Sequence, residues 1–258
     1  MSSEITLFDT HCHLDFPQFS DNLNRLVDKA EEAGICGILI PGVKKEGWLA
    51  VRKITATNRI CHTALGLHPM FMDQHKKSHL RDLEMALSVG PLAAIGEFGL
   101  DYYKAKTNKS EQIEFAEAQI NIAKEASLPV VLHVRKAHDE MIKLLQQGHF
   151  KGGGIVHAFN GTEHQAKKYI EMGFKLGFGG AMTFPRAAKL HVLAKRLPLT
   201  SIVLETDAPD MPPATCNQPF NTPLHLFDNF RSLVNLRDEP ALEISNQTTL
   251  NAKEVLNL

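Results

Sequence analysis

Short apolar runs of strand length alternate along this chain with stretches whose apolar residues recur every three or four positions, and the alternation repeats eight times. The strand-like runs are Ile5–Phe8, Ile35–Ile40, Ile60–Leu65, Ala93–Glu97, Val130–His133, Gly154–His157, Phe174–Gly177 and Ile202–Glu205. Between them the spacing predicts helices. Leu23, Leu26, Val27 and Ala30 form one stripe, with Ser20 placed to cap its start and Gly34 to end it. Further helices are expected over 48–57, over 80–89, from a Ser110 cap to Ala126, around Met141 to Leu145, and over 187–197. Thr162 and Gln165 have capping-box spacing before Ala166, Tyr169 and Ile170, and Gly173 follows. Two striped helices, over 227–234 and 241–256, close the chain.

Eight such units with no linker-like stretch predict one (βα)8 TIM-type barrel domain spanning residues 1–258. An open doubly wound sheet fits less well. Its first turn should be glycine-rich, whereas here it reads His11-Cys12-His13-Leu14-Asp15, and Gly152-Gly153-Gly154 precedes a strand instead of following one.

A length of 258 residues at 43% hydrophobic composition is enough for such a core. The formal net charge of −1 excludes a general basic face for coating long nucleic acid, so any phosphate recognition must be local. The four cysteines form no Cys-x-x-Cys pair, which suits reduced thiols. The first residues, Met1-Ser2-Ser3-Glu4, lack the features of a signal peptide, and no apolar run approaches the length of a membrane span. A cytoplasmic protein with no membrane association and no obligate protein partner is expected.

The chemistry collects at the ends of the strand-like runs. In an extended chain His11 and His13 face one way and Cys12 the other, so two imidazoles share a face. Glu97, His133 and His157 each end a run of their own, and Asp207 follows the last. In a parallel barrel those ends share one mouth. Imidazole and carboxylate donors suit zinc or manganese, with magnesium as a further candidate. Six ligands are too many for one catalytic ion that keeps a water, and they suit two divalent ions bridged by a carboxylate. The expected arrangement puts His11, His13 and Asp207 on one ion, His133 and His157 on the other, and Glu97 between them. Asp207 is also the expected general base. No Gly-x-Ser-x-Gly elbow is present to support a serine nucleophile.

Phe8-Asp9-Thr10-His11-Cys12-His13, Gly66-Leu67-His68-Pro69, Ile95 through Tyr102, Pro129 through Arg135, and Leu204 through Pro209 together resemble the TatD family of metal-dependent deoxyribonucleases and hydrolases, in order and over nearly the whole chain. Asp207-Ala208-Pro209-Asp210-Met211-Pro212 is similar to its YjjV branch. The resemblance implies a TIM-type barrel, a divalent metal pair on the six residues, and hydrolysis of phosphodiester bonds. Two motifs depart from the pattern. His157-Ala158-Phe159-Asn160-Gly161 stands where many relatives read His-Cys-Phe-Ser-Gly, and Phe220-Asn221-Thr222-Pro223 where many read Arg-Asn-x-Pro. Loss of that arginine removes a phosphate contact and points to short or single-stranded DNA, or a small phosphodiester, attacked at an end.

Three further residues are candidates for supporting roles. His68 is placed to donate to a substrate phosphate, and Arg135 shares a strand face with His133 and offers a fork of donors. Glu205, on the face of Asp207, is placed to orient a ligand histidine. Lys104, Lys106 and Lys109 form a small basic run that reads as solvated loop, and the other eight histidines show no shared placement. Two alternative functions use the same ligands: hydrolysis of a small phosphoester, lactone or amide, and metal binding without catalysis. Many amidohydrolases carry a carboxylated lysine on strand four, where this chain has Glu97.

Overall fold

The computed structural model describes residues 5–103 and 108–258. Eight parallel strands pair in chain order: β1 (Leu7–Asp9), β2 (Ile35–Gly42), β3 (Cys61–Leu65), β4 (Ala94–Asp101), β5 (Val130–Arg135), β6 (Gly154–Val156), β7 (Phe174–Phe178) and β8 (Ile202–Leu204). The sheet returns on itself where β8 meets β1. Thr10 N donates to the Leu204 carbonyl at 3.0 Å, and Asp207 N donates to the His11 carbonyl at 2.8 Å. Nine helices among the described residues surround the strands: α1 (Leu23–Glu32), α2 (Trp48–Thr57), α3 (Lys77–Ala86), α4 (Lys109–Glu125), α5 (His138–Gln147), α6 (Glu163–Glu171), α7 (Ala188–Arg196), α8 (Leu226–Leu236) and α9 (Ala241–Val255).

All eight strands and the helices between them stand where the hydrophobic pattern predicts, with shifts at their ends. The capping box of Thr162 and Gln165 is present at α6. Two expected caps belong to other residues. Asn108, not Ser110, caps α4, its side chain accepting from Ser110 N at 3.1 Å. Ser20 closes a tight turn over Pro17–Phe19 instead, and α1 begins three residues later at Leu23. In the basic run, Lys109 lies over the Tyr102 ring at 4.4 Å, while Lys104 and Lys106 lie outside the described residues.

The barrel holds two cores. The larger lies between strands and helices, and the smaller fills the interior with Phe8, Leu39, Ala64, Ala94, Val131, Ile155 and Val203, one residue from each of seven strands. Ala252 and Val255 of α9, with Leu256 just beyond its end, pack against this inner layer. Pleating does the rest, because residues two apart share a face. From Val131 the inward face leads to His133 and Arg135, from Ile155 to His157, and from Val203 to Glu205 and Asp207.

Strand β4 cannot follow that rule unaided. Ala94 points inward, so strict alternation would turn Glu97 and Asp101 out toward the helices. Between Ile95 and Phe98, however, β4 advances three residues while β5 advances two, from Val130 to Leu132. This bulge reverses the parity, so Phe98 and Leu100 join the outer core while Glu97 turns toward the mouth. Gly96 and Gly99 make it feasible. Their φ values of 149° and 148° suit glycine, and a Cβ on Gly99 would stand 2.1 Å from the His133 carbonyl oxygen.

One buried side chain ties the loop after β3 to the helical layer. Gln119 of α4 accepts from Leu67 N at 2.8 Å and donates to the Leu67 carbonyl at 3.3 Å. Gln119→Met keeps the length but strands both backbone groups. We expect a loss of about 2 kcal/mol, lowering Tm by about 4 to 8 °C, measured by denaturant and thermal unfolding. An unchanged midpoint would show that the pair contributes nothing to stability.

Candidate metal centre

His11 and His13 lie just past β1, on a segment paired with the last strand's extension through the Cys12 to Ala208 bridge. Cys12 packs into the outer core, and the two imidazoles turn together, their Nε2 atoms 3.2 Å apart. His13 Nδ1 donates to the Pro41 carbonyl at 3.2 Å, which turns its Nε2 toward the site.

Glu97 is 2% exposed and faces histidines with both oxygens. Oε2 lies 3.0 Å from His11 Nε2 and 3.7 Å from His13 Nε2. Oε1 lies 3.1 Å from His133 Nδ1 and 3.1 Å from His68 Nε2. Asp207 stands opposite, with Oδ1 3.5 Å from His13 Nε2 and Oδ2 3.5 Å from His157 Nε2. Its φ of 57° is unusual for a residue with a side chain and marks a backbone held by its surroundings.

The structure brings all six expected ligands to one place but groups them differently from the sequence reading. His157 stacks on His11, with ring centroids 3.6 Å apart, and faces Asp207. His133 sits with Glu97 and His68. Three sets of donor atoms, each within 4.8 Å, result: His11, His157 and Asp207; His11, His13 and Glu97; His68, Glu97 and His133. The reason is barrel closure, which carries the end of β6 across the interior toward β1.

Hydrogen bonds limit one member. His68 Nδ1 accepts from Met70 N at 3.0 Å, so its proton is on Nε2, directed at Glu97. A neutral ring so committed is a donor and not a metal ligand. His133 and His157 instead show a carboxylate behind the ring: His133 Nε2 is 3.1 Å from Asp101 Oδ2, and His157 Nδ1 is 3.0 Å from Glu205 Oε1. Such partners orient ligand histidines and fix which nitrogen is free.

Mutual neutralisation governs the charges. Burial alone would raise the Glu97 carboxyl, but His68 and His11 hold it well below the usual range. Burial would lower His13, yet Asp207 and Glu97 push it up to about 9. His157 is likewise raised against burial by Glu205 and Asp207. Burial drives His68 down to about 4 despite Glu97. Four histidines and two carboxylates packed so closely have the chemistry of a divalent-metal site, and the donor set fits such ions.

The sequence matches the signature of the TatD-related DNase family over residues 8–257. The chain belongs to this family. It is 36% identical over 252 residues to the uncharacterized metal-dependent hydrolase YjjV of Escherichia coli K12, covering 97% of both chains. The crystal structure of that TatD homologue superimposes with a TM-score of 0.93, covering 98% of each chain. A Yersinia pseudotuberculosis protein named 3'-5' ssDNA/RNA exonuclease TatD is 30% identical, covering 98% of this chain and 100% of its own. As a TatD-family member the chain is a metal-dependent hydrolase.

Several residues that matter here had no assigned role. Asp101 is on the Glu97 face of β4, and the even spacing was a usable signal hidden by ending the strand at Glu97. Asp9 is fully buried and accepts from Thr206 N at 2.9 Å and Thr206 Oγ1 at 2.6 Å, tying the first motif to the last. Asn221, in the motif that lacks arginine, donates to the Thr206 and Asp210 carbonyls at 2.8 Å each. His75 donates to the His68 carbonyl at 2.9 Å.

Protons and metal compete at this site. His13 stays protonated in the metal-free protein up to about pH 9, so metal must displace that proton, and affinity should rise with pH from 6 toward 9. We expect about one to two decades per pH unit for one or two displaced protons, read by chelator competition. A flat profile would contradict this charge state. Glu97→Ala should lower metal content more than His133→Ala, since both Glu97 oxygens face histidines; elemental analysis showing full occupancy in Glu97→Ala would remove Glu97 as a ligand.

Proposed function

We propose that this protein hydrolyses phosphodiester bonds at an end of short or single-stranded nucleic acid, as one catalytic barrel using two divalent ions. The observation that carries the reading is Glu97, whose two oxygens face separate histidine groups beneath an open cleft. The set His11, His13, Glu97, His133, His157 and Asp207 would hold the ions, with Glu97 as bridge and zinc or manganese favoured over magnesium by the many imidazoles. When bound, such ions lower the pKa of water and stabilise charge growing on a phosphate.

The chain's own groups then divide the work. Asp207, ionised because His157 and His13 outweigh its burial, accepts the proton of the attacking water. His68 donates through Nε2, and Glu205 and Asp101 keep His157 and His133 oriented. Arg135 lines the cleft with its guanidinium 3.8 Å over the Tyr103 ring. A fork held flat at the cleft suits a phosphate.

Two further observations support the substrate class. The cleft measures about 550 Å³, enough for a nucleotide or a short single strand. The Yersinia relative is named for single-stranded DNA and RNA. No helix among the described residues is long and apolar enough to cross a membrane. The four unpaired cysteines support a reducing compartment such as the cytoplasm.

Asp207→Asn tests the mechanism. It keeps size and one ligating oxygen but loses basicity, so kcat on a single-stranded oligonucleotide should fall by about 10² to 10⁴ at saturating metal. Metal content and Tm, measured on the same sample, should hold. Turnover near the parent rate with both ions bound would remove Asp207 as the base.

A further inference from the structure

The walls of the catalytic cleft are chemically unlike. On the side built by the loops after β1, β2 and β3, it is lined by Phe16, Val43, Met70 and Phe71. Facing them, after β5 and β6, come Arg135 and Asn160. Lys189 reinforces that second wall by donating to the Asn160 carbonyl. One wall is apolar and aromatic, and the other presents donors.

The apolar wall is built on a firm base. Proline at position 69, the Met70 N–H to His68 Nδ1 bond and the Phe71 N–H to His68 carbonyl bond at 3.0 Å fix the turn that carries Met70 and Phe71. Met70 is nevertheless 36% exposed, and Phe71 is half-buried. Lys44 Nζ lies 5.1 Å from the Phe71 ring centroid and is itself held by Gln74 Oε1 at 3.2 Å. The Phe71 ring meets the His68 ring edge-on, with centroids 5.9 Å apart, and is still half-exposed at the mouth with Lys44 over it.

We propose that Phe71, with Met70, forms a subsite that stacks an unpaired nucleobase, while Arg135 on the opposite wall holds the backbone. The inference rests on the phosphodiesterase reading and adds to it the part of the substrate recognised beside the phosphate. Flat aromatic rings bind any base through its π-face, so this subsite selects single strands without reading sequence. A base paired in the interior of a duplex cannot reach it, because both of its faces are covered by the stack. The two walls also set polarity: bases lie toward β1 to β3 and phosphates toward β5 and β6.

The test compares single-stranded oligonucleotides that differ only at the terminal nucleotide, one carrying its base and one abasic. For the parent, kcat/KM should be about ten-fold higher with the base present. Phe71→Ala and Phe71→Leu should abolish that difference while hydrolysing the abasic end at the parent's rate, and Tm and metal content identify any variant that fails to fold. Arg135→Gln should slow both substrates equally. Equal loss on base-bearing and abasic ends in the Phe71 variants would overturn the subsite. A parent that hydrolyses both ends equally would overturn it too, leaving the phosphodiesterase reading intact. A parent that hydrolyses no oligonucleotide would remove both.

Discussion

A carboxylate at the inner end of a barrel strand cannot stay ionised without close cationic or donor partners, because desolvation of an unpaired charge is too costly. Glu97 meets that condition with His11, His13, His68 and His133, three of them within about 3.1 Å. The histidines in turn depend on acids: His133 on Asp101, His157 on Glu205 and Asp207. In the metal-free protein, protons on His13 and His157 balance these acids. Divalent ions bind by taking the place of those protons, so the site is preformed in geometry and differs between the two states in charge.

Rigid backbone holds this charge arrangement together. The β4 bulge turns Glu97 inward, and Asp9 clamps the first metal-ligand segment to Thr206, next to Asp207. Asn221 pins the loop after β8 by donating to two carbonyls, and Gln119 pins Leu67 beside His68. Each contact is a buried side chain satisfying backbone groups of a loop at the mouth. Loops that must hold ligands within a few tenths of an ångström thus borrow order from the helical layer, while the outer ends of the same loops stay exposed to meet substrate.

Function follows from placing this centre at the floor of a narrow cleft. The metal-binding groups are buried, so a scissile bond must be brought down to them, and a cleft of about 550 Å³ limits what can follow. Arg135 reaches the same region with its guanidinium resting on Tyr103, while the His68 ring proton is directed at Glu97 and not at the cleft. With a formal net charge of −1, attraction to an anion at the cleft is confined to a few local groups.

Much of this was legible without coordinates. Strand positions followed from apolar runs, helices from three-and-four spacing, and the barrel from eight uninterrupted alternations, because burial on both faces and on one face leave different periodic marks. The six candidate ligands were legible because each sits at or just past a strand end, and parallel strands bring their ends together. Linear sequence could not show which ligand faces which. Pairing His157 with His11 depends on closure across the barrel, and turning Glu97 inward depends on one extra residue in β4 relative to β5. The supporting roles of Asp9, Asp101, Asn221 and Gln119 were equally hidden, since their partners are backbone groups and rings brought close only by folding. The sequence by itself determined the chemical types and the strand ends that carry them; the tertiary structure alone decided their contacts, because distances of about 3 Å across a barrel are set by register, bulge and closure.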